Sequence, residues 1–211
     1  RRSSDLNLAR IAAQGLPFWL AGAYATPERV AEALAQGASG VQIGTMFALA
    51  AESGLRADLR AQLLTGLEEG SLVVRNDALA SPTGFPFKVA ALGGTLSEPA
   101  AYAARGRICD LGYLRTPVER SDGTVSYRCA SEPAHMYLKK GGQEADLAGR
   151  KCLCNALMAN VGHGQVRADG YVEEAAVTLG QDLDGARRLA ARYPDGWTAA
   201  EAIDWLLAPA A

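Results

Sequence analysis

Short runs of apolar residues alternate with stretches of helical periodicity in the first half of the chain. Residues 16–24 (LPFWLAGAY) are apolar and aromatic, and the shortness of the run favours a buried parallel strand over a helix. Residues 40–44 (GVQIG) predict a second buried strand. Between the two runs, Thr26 is a predicted helix cap, Pro27 suits the first helical position and Gly37 ends the helix. A strand, a helix and a strand in fewer than thirty residues have the size of a βαβ crossover.

Helical periodicity continues beyond this unit. Four leucines at intervals of four residues predict a helix that faces the core: Leu55, Leu59, Leu63 and Leu67. A strand is predicted over residues 71–75, and the turn-rich residues 81–87 (SPTGFPF) predict a loop. Another helix begins at Ser97 and runs to about residue 106.

The character of the chain changes at residue 107, where Gly, Pro and Cys become more frequent and the periodicity fades. Asp122 and Gly123 stand between apolar residues and indicate a hairpin turn. Residues 182–192 form a predicted amphipathic helix, and Thr198 caps a final one. Three apolar residues of this last helix are expected to face inward: Ile203, Trp205 and Leu206.

These patterns predict an α/β fold in three segments: residues 1–106, a loop-rich insertion at residues 107–155, and a mostly helical extension at residues 156–211. Charged residues make up 21% of the chain and the net charge is −2, which gives no reason to expect nucleic acid or an anionic membrane as a partner. No run of eighteen apolar residues suggests a membrane span. The sequence begins at Arg1 and not at Met, so we expect an upstream segment to be missing.

The sharpest chemical signal is the pair of predicted strand ends at residues 20–23 (LAGA) and 42–45 (QIGT), about twenty residues apart. Successive strands of a (β/α)₈ barrel end at one face, and the loops after its last strands often bind phosphate. Small residues let the backbone N–H groups approach a phosphate closely. Here the small residues and one hydroxyl come from Gly22, Ala23, Gly44 and Thr45. The alternative is that these glycines only permit tight turns.

Residues 19–47 (WLAGAYATPERVAEALAQGASGVQIGTMF) closely resemble the nitronate monooxygenase family, also called 2-nitropropane dioxygenase-like. Residues 81–89 (SPTGFPFKV) and 150–180 (RKCLCNALMANVGHGQVRADGYVEEAAVTLG) are similar to a long C-terminal extension in one bacterial branch of that family. The resemblance covers most of the chain. The two-turn motif is shared with other FMN barrels, so the extension is what favours this family.

In the family, a strand ending in Gly-Gly and a later strand ending in GVQxGT hold the FMN phosphate. By position, the resemblance implies phosphate contacts from Gly22, Ala23, Gln42, Ile43, Gly44 and Thr45. Ala23 departs from the pattern, because it stands where the family has the second glycine. Its backbone amide remains, so we expect a phosphate contact there if the local φ is negative.

The resemblance further implies that residues 1–106 are the C-terminal part, with the last strands, of a (β/α)₈ TIM barrel. The whole protein would be a cytoplasmic, FMN-dependent oxidoreductase that oxidises an alkyl nitronate or a related carbanion with O₂. Its partners would be that small-molecule substrate and the missing N-terminal barrel segment. This part alone is expected to be inactive.

No catalytic residue is assigned. The family's catalytic base is a histidine in a glycine-rich loop before the seventh strand, and nothing before Leu16 matches that loop. The chain has two histidines, His135 and His163, and we interpret His163 as a surface residue because no partner is evident. Near the first turn, Phe18 and Trp19 are expected in the core. Tyr24 is a candidate to line the flavin pocket.

All four cysteines lie in one stretch of the chain: Cys109, Cys129, Cys152 and Cys154. Without a signal peptide in view, a disulfide scaffold is disfavoured. Four converging thiolates would form a tetrahedral zinc site, although the usual CxxC spacing is missing. The alternative is that they are unpaired cysteines that pack as small hydrophobic side chains.

Two other functions remain open. An FMN-dependent enoyl reductase of similar barrel fold would use NAD(P)H, and only the upstream sequence would separate it from the first hypothesis. A non-catalytic module would use the Cys-containing segment to bind a partner protein. Flavin absorbance of the full-length protein would count against that second alternative.

Overall fold

The computed structural model of the chain describes residues 7–209, as a mixed α/β structure made of two compact units. Unit 1 combines the residues up to Leu72 with those from Leu179 onward, and unit 2 consists of residues 73–178. Residues 73–106 therefore group with the Cys-containing stretch, and the last two helices group with the N-terminal residues. The units do not coincide with the three predicted segments.

In chain order, the helices and strands are α1 (Leu8–Ala12), β1 (Trp19–Ala21), α2 (Pro27–Ala35), β2 (Gly40–Gln42), α3 (Thr45–Ala48), α4 (Ala57–Glu68), β3 (Val74–Asp77), β4 (Phe87–Ala90), α5 (Pro99–Ala104), β5 (Thr116–Glu119), β6 (Val125–Arg128), α6 (Ala134–Lys139), α7 (Leu153–Asn160), α8 (Asp184–Arg192) and α9 (Ala199–Leu206), with a short 3₁₀ helix at Glu144–Leu147.

The predicted strand–helix–strand unit is confirmed in unit 1. β1 and β2 pair in parallel, and α2 connects them. The hydroxyl of Thr26 accepts a hydrogen bond from the backbone N–H of Arg29 at 3.4 Å, which caps the start of α2. Gly37 follows the helix with φ +87°, the left-handed conformation that commonly ends helices.

The core beside β1 is a cluster of four buried residues: Leu20, Tyr24, Ala33 and Ala38. Phe18 packs against this cluster, but Trp19 is 59% exposed, so the prediction that Trp19 lies in the core is wrong. Successive side chains of a strand point to opposite faces, and Leu20 occupies the inward position. Trp19 instead packs on Gly40 of the neighbouring strand, where an added Cβ would lie 3.0 Å from its ring.

The helices of unit 1 follow local sequence signals closely. Three leucines of the predicted stripe are buried on α4: Leu59, Leu63 and Leu67. Thr198 and Glu201 cap α9 reciprocally, as a capping box. The prediction that Ile203 faces inward is wrong, because it is 46% exposed and the buried side of α9 runs through Ala202 and Leu206. Those two residues are one helical turn apart, and Ile203 lies off that line.

Unit 2 contains two antiparallel strand pairs. The predicted turn at Asp122 and Gly123 is confirmed, since it joins β5 to β6 and Gly123 has φ +78°. The strand predicted at residues 71–75 begins later, at Val74, and pairs with β4. β4 follows the predicted loop and was not itself expected. A small core cluster of this unit joins Leu96, Ala156 and Ala176.

All strands named above belong to two-stranded sheets, and no closed barrel is formed by residues 7–209. The coarse α/β class is therefore present. Nowhere in the described part of the chain is a helix long and apolar enough to cross a bilayer.

Candidate phosphate-binding turns

The two predicted phosphate turns lie side by side at one edge of the β1–β2 pair. The parallel register sets Leu20 opposite Val41 and Ala21 opposite Gln42. Because the strands run in the same direction, the residues that follow them leave the sheet at the same edge. Residues 22–23 and 42–45, which we call the strand-end turns, are therefore neighbours although they are far apart in sequence.

The first turn has an unusual backbone. Gly22 has φ +86° and Ala23 has φ +62°, and Ala23 is the single non-glycine with positive φ among residues 7–209. The condition we set for a contact at Ala23, a negative φ, is not met. A left-handed residue with a Cβ costs about 1–2 kcal/mol, and such strain tends to persist at functional sites. Ala23 thus holds a conformation that glycine would adopt without this penalty.

Space around the turns is open. A Cβ built on Gly22 or on Gly44 would have no heavy atom within 4 Å, and both residues are exposed. Gln42 is also exposed, and Ile43 is half-buried. Neither glycine is therefore covered by protein atoms on the side where a side chain would stand. The residues present fit the phosphate group of FMN in size and in access.

Thr45 is the one predicted contact whose side chain is already engaged. Its Oγ1 accepts a hydrogen bond from the backbone N–H of Gly180 at 2.8 Å. Gly180 lies in unit 1, in the segment before α8. Gly180 was not predicted to reach the site, because a single glycine 135 positions further along the chain gives no local signal of this contact.

Tyr24 does not line the turns. It is buried in the core cluster beside β1, with 4% of its surface exposed. The histidines lie in unit 2, and both are exposed. His163 follows α7, where its backbone N–H donates to the carbonyl of Met158 at 2.9 Å. Its exposure agrees with the interpretation of His163 as a surface residue.

Three segments that carry the four cysteines are joined by hydrogen bonds. The guanidinium of Arg107 donates to the carbonyl oxygens of Ala130 and Glu132. The hydroxyl of Ser131 donates to the carbonyl of Lys151 at 2.8 Å. Each of these contacts lies within three residues of a cysteine, so the hydrogen bonds hold the three cysteine-bearing segments next to one another.

The cysteines are all unpaired: Cys109, Cys129, Cys152 and Cys154. Burial raises the pKa of the Cys129 thiol, and it raises the pKa of Cys152 to about 11. Across residues 7–209, no three His, Cys, Asp or Glu side chains converge so as to hold a metal ion. The hypothesis of a four-thiolate zinc site is therefore not supported. Cys129 and Cys152 lie in the core, as the alternative of packed, unpaired cysteines predicts.

A second polar feature of unit 2 was not expected. Glu173 is buried, and its carboxylate accepts hydrogen bonds from Arg105, from Arg167 at 3.0 Å and from Asn155 at 3.4 Å. Asp110 accepts from Arg167 at 2.7 Å and from Asn155 at 2.6 Å. We call these five residues the Glu173 network.

The charges of the Glu173 network compensate one another, since two arginines face two carboxylates. Burial disfavours the charged form of Arg105, but the hydrogen bond and the charge of Glu173 raise its pKa above the ordinary value. Both side chains of this pair are almost fully buried. The network connects the segments around residues 105, 110, 155, 167 and 173. Its geometry is that of an interaction that stabilises the fold.

Comparisons of the chain with protein-family models, with curated proteins and with solved structures gave no match.

Proposed function

We propose that this chain forms the phosphate-binding end of an FMN-dependent oxidoreductase similar to nitronate monooxygenases. The observation that carries the proposal is the pair of adjacent strand-end turns. They bring small residues from two parallel strands to one exposed edge. Phosphate sites are commonly built from such turns, where backbone N–H groups can approach the ligand.

The wider architecture belongs to the same proposal. β1 and β2 would be the last strands of a (β/α)₈ barrel, and the N-terminal barrel segment would supply the other strands. Two parallel strands leave open edges that need a partner, since parallel sheets are normally covered and extended. Trp19 is exposed beside this pair, which agrees with further packing there. A cytoplasmic location fits the four unpaired cysteines.

When bound, FMN supplies the electron transfer between an alkyl nitronate or related carbanion and O₂. The residues of this chain bind and orient it. Backbone amides at residues 22 and 43–45 would hold the phosphate, and the Thr45 hydroxyl would add one donor. Gln42 is exposed at the end of β2 and can contact the adjoining part of the cofactor. Proton transfer is left to groups outside the residues assigned here.

Binding of FMN and of riboflavin tests the proposal, because riboflavin lacks the phosphate. We expect the chain joined to its upstream segment to prefer FMN, and Gly44→Val to abolish that preference by filling the space that several phosphate contacts need. Thr45→Ala removes one hydroxyl and should weaken FMN binding by about ten- to a hundred-fold, the value of one hydrogen bond to a charged group. Fluorescence titration measures both ligands.

Gly106→Val is the matched control, since Gly106 is exposed in unit 2 and an added Cβ would make only ordinary contacts. It should leave both affinities unchanged. If a folded Gly44→Val variant binds FMN as tightly as the wild type, the phosphate lies elsewhere. Equal affinities of the wild type for FMN and riboflavin would count against a phosphate site altogether.

Activity is measured with the chain joined to its upstream segment. Nitronate-dependent oxygen uptake supports the proposal. NAD(P)H-dependent reduction of an enoyl substrate would instead favour the enoyl reductase hypothesis. Absence of flavin from the purified full-length protein would favour a non-catalytic module.

A further inference from the structure

The Thr45 side chain is held by a residue from the C-terminal part of unit 1. The backbone N–H of Gly180 donates to Thr45 Oγ1 at 2.8 Å, a normal length for such a bond. Thr45 begins α3 directly after Gly44, so its hydroxyl lies next to the second strand-end turn. A segment that is not part of either strand therefore reaches the candidate site.

This contact determines what the hydroxyl can do. A threonine hydroxyl has one proton to donate and two lone pairs that accept. Because Gly180 supplies a donor, one lone pair of Thr45 Oγ1 is used and the proton remains available. The bond also restrains rotation of the hydroxyl. Thr45 is thereby oriented as a donor, which is what a phosphate oxygen requires.

At position 180, a side chain cannot be added without moving Thr45. A Cβ added to Gly180 would lie 2.9 Å from Thr45 Oγ1, closer than real Cβ atoms approach a neighbour. The atom in its way is the hydroxyl oxygen itself, not the end of a flexible chain. An alanine would therefore push the Thr45 side chain aside or lengthen the hydrogen bond.

We propose that Gly180 is a positioning residue for the phosphate monoester of the flavin: its N–H orients the Thr45 hydroxyl toward the anion, and its missing side chain permits the contact. The inference rests on the proposed function. It extends that function, because it adds to the site the segment around Gly180, which lies outside the strand-end turns.

The experiment compares Gly180→Ala with the wild type for FMN and for riboflavin. We expect Gly180→Ala to weaken FMN binding by about ten-fold, within the range for one hydrogen bond to a charged group. Riboflavin affinity should stay the same, since riboflavin has no phosphate for Thr45 to contact. A merely structural role of Gly180 would lower both affinities together. Gly106→Ala, whose added Cβ would make only ordinary contacts, serves as the control.

Thr45 variants separate orientation from folding. Thr45→Ser keeps the hydroxyl and should retain the preference for FMN, whereas Thr45→Val keeps the shape and should lose part of it. In the Thr45→Val background, Gly180→Ala should have no further effect on the FMN-to-riboflavin ratio, because the two residues act through one contact. Thermal unfolding verifies that each variant is folded.

Two results overturn the inference and are distinguishable. If the wild type prefers FMN but Gly180→Ala retains that preference, Gly180 has no positioning role and the proposed function stands. If the wild type shows no preference for FMN, the proposed function fails and the inference fails with it.

Discussion

The strand-end turns of unit 1 and the Glu173 network of unit 2 differ in their exposure to solvent and in how their polar groups are used. At the turns, exposed backbone and small residues leave open space, and Ala23 holds a strained conformation. In the network, the buried side chains of Arg105 and Glu173 form an ion pair, and Arg167 links Glu173 to the exposed Asp110. The first arrangement leaves the backbone open to a ligand, whereas in the second Arg105, Arg167 and Asn155 donate to carboxylates of the protein itself.

We expect substitutions at the turns to affect mainly ligand binding, and substitutions in the network to affect mainly the stability of the fold. A change at the turns alters what a ligand meets, and few protein contacts depend on the residues replaced. A change in the network leaves a charge unpaired in a buried setting, where the penalty for an unpaired charge is high. This contrast fails if substitutions at the turns alter stability as strongly as those in the network, or if substitutions in the network alter ligand binding.

The largest effect is expected at Glu173. Glu173→Gln keeps the shape of the side chain but removes the negative charge that faces Arg105 and Arg167. Breaking a buried ion pair by removing one partner costs about 3–5 kcal/mol. Chemical denaturation should show a loss of that size in the free energy of unfolding. The relative affinity for FMN and riboflavin, measured on folded protein, should not change.

Glu119→Gln is the control for this substitution, because Glu119 is exposed on β5 in the same unit. It should change the free energy of unfolding by less than about 0.5 kcal/mol, as surface substitutions usually do. A loss at Glu173 no greater than the loss at Glu119 would mean that the network does not support the fold.

The reactivity of the Cys152 thiol reports how accessible the interior of unit 2 is to solvent and reagents. Burial raises the pKa of this thiol to about 11 from an ordinary value of 9.0. Only the thiolate reacts with iodoacetamide, so a pKa raised this far reduces the reactive fraction about a hundred-fold at about pH 8. We expect Cys152 to be alkylated at least that much more slowly than a free cysteine peptide. Peptide mass spectrometry gives the rates.

Cys154 lies two residues away and is half-buried, which makes it the internal comparison. Its alkylation should precede that of Cys152. Modification of both sites at the same rate would show that this part of unit 2 opens readily, and the description of the region as a closed interior would be wrong.

Local signals account for what the sequence predicted correctly. Thr26 caps the start of α2 and Gly37 ends it, and both act through neighbours a few residues away. Asp122 and Gly123 do the same for the β5–β6 hairpin. The parallel strand pair followed from the length of its connection, and so the adjacency of the strand-end turns was also predictable.

Long-range contacts account for most of what it missed. Arg105 and Glu173 are 68 positions apart, and neither residue type is expected in a core without its partner. Gly180 reaches Thr45 across 135 positions. Trp19 was assigned to the core from hydrophobicity alone, but its side of the strand has no covering layer within the described part of unit 1. Periodicity predicts which residues share one face of a helix or strand, but it does not predict what packs against that face.

Ala23→Gly tests whether the backbone of the first strand-end turn is strained. Glycine adopts positive φ without the Cβ penalty of about 1–2 kcal/mol, although it loses more backbone entropy on folding, about 0.5–1 kcal/mol. The difference between these two contributions lies at about 0–1.5 kcal/mol, and we expect a net stabilisation within that range in denaturant titrations. FMN affinity should be retained, because the backbone conformation is the same.

Ala13→Gly in the same unit is the control, since Ala13 is exposed and has φ −63°. There the substitution should destabilise the protein slightly, because only the entropy cost remains. Destabilisation by Ala23→Gly of the same size would indicate that Ala23 is not strained.

The smallest effect is expected at the exposed pair of Glu28 and Arg188, which joins α2 to α8 within unit 1. The hydrogen bond from Arg188 lowers the pKa of Glu28 from 4.5 to about 2. A carboxyl whose pKa is lower in the folded state contributes stability above its ordinary pKa. That contribution is lost as the pH falls from 4.5 through about 2. Because both side chains are exposed, solvent screens the pair and its effect on unfolding should be slight.

Titration of Glu28 by NMR, followed at the side-chain carboxyl carbon, measures this change in pKa directly. In the wild type the midpoint should lie near 2, and in Arg188→Met it should return toward 4.5, because the donor is gone. Arg188→Lys should fall between the two, since lysine keeps the charge but not the two-pronged hydrogen bond. The stability difference between wild type and Arg188→Met should shrink as the pH is lowered across this window. A wild-type midpoint near 4.5 would mean that the pair does not persist in solution, and the contrast between the two regions would then rest on the buried network and the strand-end turns alone.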